Sequence, residues 1–316
     1  MEQRLLGGTG ISVSRLCFGG LTIGPLQADL SPEAGAAVLA RAIEQGVNFV
    51  DTAELYGTMP MIRRAMHSTG KKDLVVATKS YAYSTETAEK SVQKALKELN
   101  RDYVDIFLLH EQESPLTLKG HWEAVEALIR LKEKGHIRAV GLSTHYVAAV
   151  KAALRVPEIE VIHPLINMQG LGIQDGTAAQ MLEQLETARA LGKGIYGMKP
   201  LGGGNLIARA AECLRWALDQ DCLDAVALGM QYPEEVDANV AFFETGSFPP
   251  AAAEALQHRS RRLMIHNWCH GCGACVDKCK SQALSLREGR AQVDAARCVL
   301  CGYCSAVCPN LCIKVI

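Results

Sequence analysis

Residues 48–110 hold three short apolar runs, NFVD (48–51), LVVATK (74–79) and VDIFLLH (104–110), and each run ends in a polar residue. Helical patterns lie between the runs, which is typical of parallel βαβ units with right-handed crossovers. In a barrel of such units the carboxyl ends of the strands point to one face, where barrel active sites are built. We therefore expect Asp51, Lys79 and His110 to converge there with Tyr56, which follows Asp51 by five residues.

The same alternation of strands and helices extends over most of the chain. We predict strands over 13–18, 48–51, 74–79, 104–109, 137–142, 161–166, 194–198 and 225–229. Eight strand–helix pairs close a (β/α)8 TIM barrel, an α/β fold, and a turn-rich hairpin at 4–11 is expected to close its bottom. We assign residues 1–250 to the barrel, 251–262 to a linker and 263–316 to a small, cysteine-rich α+β domain.

Composition narrows the range of functions. The chain has 316 residues, is 48% hydrophobic and carries a formal net charge of −1, which argues against nucleic acid as a partner. No apolar run of about 18 residues occurs, so we expect no membrane span, and the amino terminus lacks a signal-type pattern. We therefore expect a cytoplasmic protein. Eight of the 12 cysteines lie between Cys269 and Cys308, a density that indicates metal or cluster ligation before disulfides.

The four polar residues suit the reduction of a carbonyl group. That reaction requires a hydride donor and a proton donor at the oxygen. A tyrosine has an ordinary pKa of about 10, and the ammonium group of Lys79 is expected to lower the pKa of Tyr56. Asp51 can pair with Lys79 and fix its position, and His110 can donate a hydrogen bond to the carbonyl oxygen.

Residues 1–245 resemble the aldo-keto reductase family. The matching motifs are LGGTGISVS (6–14), DTAELYG (51–57), TK (78–79), LLH (108–110), GLS (141–143), PLG (200–202) and the segment from Gly229 to Asn239. The resemblance implies a barrel with NADH or NADPH at its C-terminal face. It also implies Tyr56 as the general acid or base, assisted by Asp51, Lys79 and His110.

The resemblance implies further contacts with the nicotinamide cofactor. Ser143 matches the family residue that holds the carboxamide, Thr144 replaces its usual Asn partner, and His163 replaces a Gln. Met198 stands where an aromatic ring often stacks on the nicotinamide, and Tyr196 lies two residues earlier. The expected cofactor-binding residues are Gly20, Asp51, Ser143, Thr144, Asn167, Met198, Pro200, Leu201, Gly229, Met230, Glu235 and Asn239.

Glu235 departs from the pattern of NADPH-dependent relatives. Those relatives often place a basic residue there to meet the 2′-phosphate. A carboxylate repels a phosphate and can accept hydrogen bonds from a ribose diol. The sequence therefore favours NADH over NADPH.

The cysteines form two runs, CHGCGACVDKC (269–279) and CVLCGYCSAVCP (298–309). Each run has the spacing of half of a bacterial two-cluster ferredoxin, which residues 263–316 resemble. The resemblance implies two [4Fe-4S] clusters, one held by Cys269, Cys272, Cys275 and Cys308 and the other by Cys279, Cys298, Cys301 and Cys304. Paired zinc ribbons are the alternative. Cys17, Cys213, Cys222 and Cys312 fit neither run and are expected to be buried apolar residues.

The two halves imply chemistries that do not join directly, because a nicotinamide passes two electrons as hydride and a cluster accepts one at a time. The favoured interpretation is a carbonyl reductase for a small aldehyde, ketone or hydroxy compound. In this interpretation the iron-sulfur domain has a structural role, transfers electrons or docks a redox partner protein. Clusters of this kind are sensitive to oxygen and therefore suggest an anaerobic setting. The alternatives are an electron-transfer protein that works with a separate flavoprotein, and a redox-neutral elimination in the barrel. We also expect the C-terminal domain to cover the barrel mouth.

Overall fold

The computed structural model describes residues 1–250, 252, 261–300 and 303–316. Eight parallel strands form a closed barrel and confirm the predicted fold class. They are β3 (Leu16–Gly19), β4 (Phe49–Asp51), β5 (Val75–Ser80), β6 (Val104–Leu109), β7 (Ile137–Thr144), β8 (Val161–Pro164), β9 (Gly194–Met198) and β10 (Ala225–Gly229). Each strand pairs with the next, and β10 closes the ring by pairing with β3.

A two-stranded hairpin precedes the barrel. Its strands β1 (Gln3–Leu5) and β2 (Ser12–Ser14) pair antiparallel. The strand predicted over 13–18 is therefore two strands with a break at Arg15. The buried Arg15 guanidinium donates hydrogen bonds to the carbonyl oxygens of Leu218 and Leu223, which fixes the chain where it passes from hairpin to barrel.

Nine α-helices lie within residues 1–250. They are α1 (Pro32–Glu44), α2 (Met59–Thr69), α3 (Thr85–Leu99), α4 (Pro115–Gly120), α5 (Trp122–Glu133), α6 (Val147–Ala153), α7 (Ala178–Ala190), α8 (Ala210–Leu218) and α9 (Pro233–Thr245). The sequence did not predict α4 or α6. Ser114 caps α4 by accepting a hydrogen bond from the Thr117 amide, and Pro115 occupies the first helical position. Both residues are typical of a helix start, so the sequence did contain a signal for α4. Within the described residues, no helix has the length and apolar character needed to cross a membrane.

The C-terminal part has its own small core. Strands β11 (Leu263–Ile265) and β14 (Ile313–Val315) pair antiparallel, as do β12 (Leu284–Arg287) and β13 (Arg290–Val293). Short helices cover Ala274–Lys278 and Tyr303–Ala306. Most of the linker assigned to 251–262 lies outside the described residues.

Strand β14 packs against the barrel at the turn Gly202–Gly204, which follows β9. Gly204 has a φ of +88°, and a Cβ atom there would collide with the carbonyl oxygen of Val315. A Cβ atom on Gly172 would likewise lie within 3.1 Å of the Leu311 side chain. The C-terminal domain therefore sits on the mouth of the barrel, at the carboxyl ends of its strands.

Candidate active site at the barrel mouth

A buried ion pair lies at the carboxyl ends of β4 and β5. The Lys79 ammonium lies 2.8 and 2.6 Å from the two carboxylate oxygens of Asp51, and 2.8 Å from the Thr52 carbonyl oxygen. Lys79 is 1% exposed and Asp51 is 5% exposed. All three N–H donors of the ammonium group are thus engaged, which fixes Lys79 in one position.

Tyr56 stands above this pair in a short helical turn, Glu54–Tyr56, that follows β4. The centroid of its ring lies 5.0 Å from the Lys79 nitrogen and 5.8 Å from the centroid of the His110 ring. The structure therefore brings the four expected residues together. Burial, together with the carboxylates of Asp51 and Glu111, raises the pKa of Tyr56 well above 10.

This direction is opposite to the lowering expected from Lys79. The charge of Lys79 is compensated by Asp51, so desolvation of the phenolate has the larger effect. The Tyr56 hydroxyl therefore keeps its proton at neutral pH, as a proton donor must.

His110 is buried and neutral. Burial, and next the charge of Lys79, hold the pKa of His110 well below its usual range. Its ring stacks on Tyr81 with a centroid separation of 4.5 Å, and the Tyr81 hydroxyl donates a 2.5 Å hydrogen bond to Glu111. Sequence analysis missed Tyr81, although its place two residues after Lys79 was a signal. Neutral imidazole has one N–H to offer, which suits a hydrogen-bond donor to a carbonyl oxygen.

Tyr196 supports Asp51 from below. Its hydroxyl donates a 2.9 Å hydrogen bond to Asp51, and its ring packs edge-on against Phe49. The Nδ1 atom of His163 lies 2.7 Å from the Tyr196 carbonyl oxygen and must donate to it. Burial lowers the pKa of His163 to about 4, so its Nε2 atom is an unprotonated acceptor. Tyr196 therefore positions the ion pair through its hydroxyl, while its ring stacks on His163 with the centroids 3.9 Å apart.

Two cavities open at the mouth, and we name each after one residue. The Glu235 cavity runs from Tyr56 and Asp51 past the ends of β3, β9 and β10 to Glu235, and its outer wall includes Val315 and Ile316. Six of the positions expected to contact the cofactor line this cavity: Asp51, Met198, Pro200, Leu201, Gly229 and Glu235.

The other six positions do not line the Glu235 cavity: Gly20, Ser143, Thr144, Asn167, Met230 and Asn239. Three of them, Ser143, Thr144 and Asn167, use their side chains to hold neighbouring backbone. The Ser143 hydroxyl accepts from the Glu111 amide at 2.9 Å, and the Asn167 side chain accepts from the Leu171 amide at 2.9 Å. A Cβ atom on Gly20 would lie 2.8 Å from the Asp51 carbonyl oxygen, so this glycine permits close packing beneath Asp51.

The Trp268 cavity lies on the other side of Tyr56. Barrel residues Tyr56, His110 and Lys199 line one side, and Trp268 and Lys314 of the C-terminal domain line the other. Tyr56, Met198, Lys199 and Lys314 border both cavities. A hydride donor held in the Glu235 cavity and a substrate held in the Trp268 cavity would therefore meet beside Tyr56.

The cysteines surround two further cavities of similar size, about 350 and 330 Å³. Cys269, Cys272, Cys275 and Cys308 line the first. Cys279, Cys298 and Cys304 line the second, and Cys301 lies outside the described residues. The fourth cysteine of each run thus faces the cavity of the other run, which is the crossed arrangement that the resemblance implied.

Backbone amides point at two of the thiols, which fits cysteines that hold a cluster. The amide of Ala283 points at the Cys279 sulfur at 3.3 Å, and the amide of Cys312 points at the Cys308 sulfur at 3.3 Å. Such bonds to sulfur are among the features that set cluster potentials. Within the described residues, no three His, Cys, Asp or Glu side chains form a group that could hold a single metal ion.

Comparisons with known proteins identify relatives of both parts of the chain. A model of the aldo/keto reductase family matches residues 15–212, and a model of the 4Fe-4S dicluster domain matches residues 268–312. L-galactose dehydrogenase of Arabidopsis thaliana is 26% identical over 283 residues, which cover 76% of this chain and 88% of the relative. An aldo-keto reductase of Mycolicibacterium paratuberculosis is 26% identical over 259 residues, covering 75% of this chain and 86% of the relative.

A solved structure of similar fold is a putative aldo-keto reductase of Pseudomonas aeruginosa, with a TM-score of 0.66 and 25% identity. The match covers 77% of this chain and 94% of that one. The holo form of an aldo-keto reductase of Bacillus halodurans has a TM-score of 0.67 at 21% identity, over 81% of this chain and 95% of that one, and supports the fold alone.

Proposed function

Because this chain belongs to the aldo/keto reductase family, we propose that it is a nicotinamide-dependent oxidoreductase that interconverts a carbonyl and an alcohol on a small molecule. The observation that carries the proposal is the group formed by Asp51, Lys79, Tyr56 and His110 at the junction of the two cavities. Bound NADH or NADPH supplies a hydride to the carbonyl carbon. Tyr56 donates its proton to the carbonyl oxygen, so that an alcohol leaves, and it takes the proton back in the reverse direction.

The remaining members of the group position this proton transfer. Tyr196 holds Asp51, and Asp51 holds Lys79, whose charge beside the Tyr56 ring stabilises the phenolate that forms when the proton leaves. His110 donates a hydrogen bond to the carbonyl oxygen and orients it. Its stacking on Tyr81 limits the rotation of the ring and supports that alignment.

The Glu235 cavity is proposed as the cofactor site. His163 lines this cavity, and its unprotonated Nε2 atom lies 3.6 Å from an Asp51 carboxylate oxygen, where it can accept a hydrogen bond from the nicotinamide carboxamide. At the other end, the Glu235 carboxylate accepts a 2.7 Å hydrogen bond from the Gln231 amide. A fixed carboxylate there favours the ribose diol of NADH over the phosphate of NADPH. The positions that do not line the cavity are proposed to support the loops around it.

The C-terminal cysteines are proposed to hold two [4Fe-4S] clusters in the crossed pattern, with Cys301 completing the second set. We propose residues 1–250 and 263–316 as the two domains, joined by 251–262, in a low-oxygen cytoplasm. His270 and Asn310 line both the first cysteine cavity and the Trp268 cavity. This shared wall favours a second candidate function, in which the first cluster exchanges electrons with a partner or a flavin at the barrel mouth.

An anaerobic spectral titration of the iron-loaded protein with NADH and with NADPH tests these proposals. Nicotinamide fluorescence reports binding, and cluster absorbance reports reduction. We expect NADH to bind without bleaching the clusters, and we expect an added aldehyde to oxidise it. Bleaching would support the electron-exchange candidate, and no binding of either nucleotide would contradict the reductase assignment.

A further inference from the structure

Two lysine side chains from different parts of the chain reach into the Trp268 cavity. Lys199 directly follows β9, and Lys314 is the central residue of β14. Lys314 is 4% exposed, and Lys199 is partly buried. Lysines are almost never fully buried unless their charge is paired, so the partners of these two groups matter.

Among the residues that the structure describes, the Lys199 side chain has one hydrogen-bonding partner. Its ammonium lies 2.7 Å from Nε2 of His145. Burial, and next the charge of Lys199, hold the pKa of His145 well below its usual range, so this imidazole is neutral and accepts the bond. An ammonium group has three N–H donors, and two therefore remain. Lys199 also adopts a φ of +59°, an uncommon conformation for a residue other than glycine that is concentrated at functional sites.

Lys314 has no carboxylate partner within the described residues. Its nitrogen lies 5.7 Å from the centroid of the Trp268 ring and forms no salt bridge there. The acidic side chains of the cavity, Glu111 and Glu113, are both exposed. Glu111 also accepts the hydrogen bond of Tyr81. Among the described residues, no carboxylate contacts either ammonium group, so the interior of the Trp268 cavity carries positive charge that only the more distant Glu111 offsets.

The pKa values agree with this geometry. Burial, and next the charge of Lys314, lower the pKa of Lys199 to about 7. Burial lowers the pKa of Lys314 to about 8, against the raising effect of Glu111. Both ammonium groups are destabilised in the protein as it stands, and an anion beside them would remove that cost.

We propose that Lys199 and Lys314 bind the anionic group of the substrate, and that the substrate is an aldehyde, ketone or hydroxy compound that carries a carboxylate. The proposal rests on the proposed function, because Tyr56 and His110 line the same cavity and set where the carbonyl group lies. The C-terminal domain thereby supplies half of the recognition site through Lys314.

The pyrophosphate of the nucleotide is the other source of a suitable anion, because both lysines also border the Glu235 cavity. The substrate carboxylate is favoured by the neighbours of the two ammonium groups. His145, which holds Lys199, and Trp268, which faces Lys314, line the Trp268 cavity and do not line the Glu235 cavity.

Two para-substituted benzaldehydes, one carrying a carboxylate and one uncharged, separate these sources. We would measure kcat/KM of the anaerobic holoprotein for 4-carboxybenzaldehyde and for 4-nitrobenzaldehyde, and use their ratio. Lys199→Gln and Lys314→Gln should each lower the ratio by at least about tenfold, as expected for a lost hydrogen bond between charged groups. Lys314→Arg, which keeps the charge, and Lys151→Gln, which removes an exposed lysine of α6, should keep the wild-type ratio.

An unchanged ratio in both glutamine variants overturns the proposal. If the ratio is unchanged while the Kd for NADH rises, the lysines bind the nucleotide. Calorimetric titration with 4-carboxybenzaldehyde, with and without NAD⁺, distinguishes failure of this proposal from failure of the reductase assignment. Binding that is lost in Lys199→Gln supports the anion site even where no aldehyde is turned over. Wild-type binding no tighter than that of 4-nitrobenzaldehyde overturns it.

Discussion

The barrel mouth holds a paired set, Lys79 with its carboxylate, and an unpaired set, Lys199 and Lys314, which contact no described carboxylate. Lys79 meets the carboxylate of Asp51 at 2.6 Å, whereas Lys199 meets a neutral imidazole and Lys314 meets the face of an indole ring. The carboxylate of Asp51 neutralises the charge of Lys79. No carboxylate among the described residues does the same for Lys199 or Lys314. The difference teaches that burial alone does not assign a role to a lysine. A lysine that is paired with a carboxylate belongs to the rigid catalytic group. A lysine without such a partner indicates where an anionic ligand binds.

Tyr56→Phe tests the proposed proton donor, which borders both cavities, and it should have the largest effect on activity. Loss of the proton donor should lower kcat by about 10²- to 10⁴-fold, the usual contribution of a positioned general acid. Thermal unfolding should change little, because the Tyr56 hydroxyl has no hydrogen bond to other described residues. The measurement is steady-state kinetics together with the melting temperature. A variant that keeps its turnover would remove Tyr56 from the chemistry.

Lys79→Met breaks the paired set. It leaves the Asp51 carboxylate buried without its counter-charge, which should lower the free energy of unfolding by about 3–5 kcal/mol. Urea denaturation at pH 7 measures the loss. The double variant Asp51→Asn with Lys79→Met is the control, and it should recover part of the stability because no lone charge remains. Equal stability of the single and double variants would contradict a tight pair.

Lys199→Met makes the matching change in the unpaired set, and its effect should have the opposite sign. Removing a buried charge that lacks a carboxylate partner should leave the free energy of unfolding unchanged or raise it by up to about 1 kcal/mol. The same urea titration provides the measurement. A loss of stability as large as that of Lys79→Met would show that the two sets do not differ as described.

The pH dependence of stability sharpens the comparison further. The pKa of Lys199 is about 7 in the folded protein, below the value of 10.5 for an unperturbed lysine. Between these values the unfolded chain binds more protons than the folded chain, so this group makes the protein more stable as pH rises from about 7 to 10. Comparing wild type with Lys199→Met across this range isolates the slope. The wild type should gain more, and parallel curves would contradict the lowered pKa.

The pairing of Asp51 and Lys79 was largely predictable from sequence, because both residues stand at strand ends. Asp51 and Lys79 each end or nearly end an apolar run, and parallel strands in a barrel bring such positions to one face. The fold class followed from the same alternation, and the cysteine spacing indicated the family of the C-terminal domain, which the match over residues 268–312 confirms.

The unpaired set depends on contacts that no local pattern encodes. Lys314 is the central residue of β14, a strand that reaches the barrel only because two domains dock, and Trp268 belongs to the same docked domain. Lys199 lies between Met198 and Pro200, directly after β9. A charged residue directly after a barrel strand is expected at the mouth, and sequence analysis did not use this signal. The raised pKa of Tyr56 was also out of reach, because it depends on how far the ring is buried once the loops have closed around it.

Gly204 carries a consequence for recognising related chains from genome sequences. Its position has room for no side chain, because the backbone of Val315 lies against it. In a barrel of this family without a docked C-terminal domain, that backbone is absent, and a positive φ is then the remaining reason for glycine. Glycine at this position after strand β9, together with the doubled cysteine spacing, is therefore expected to mark chains whose two domains share one binding site. Chains that carry both domains but a larger residue here are expected to dock them differently.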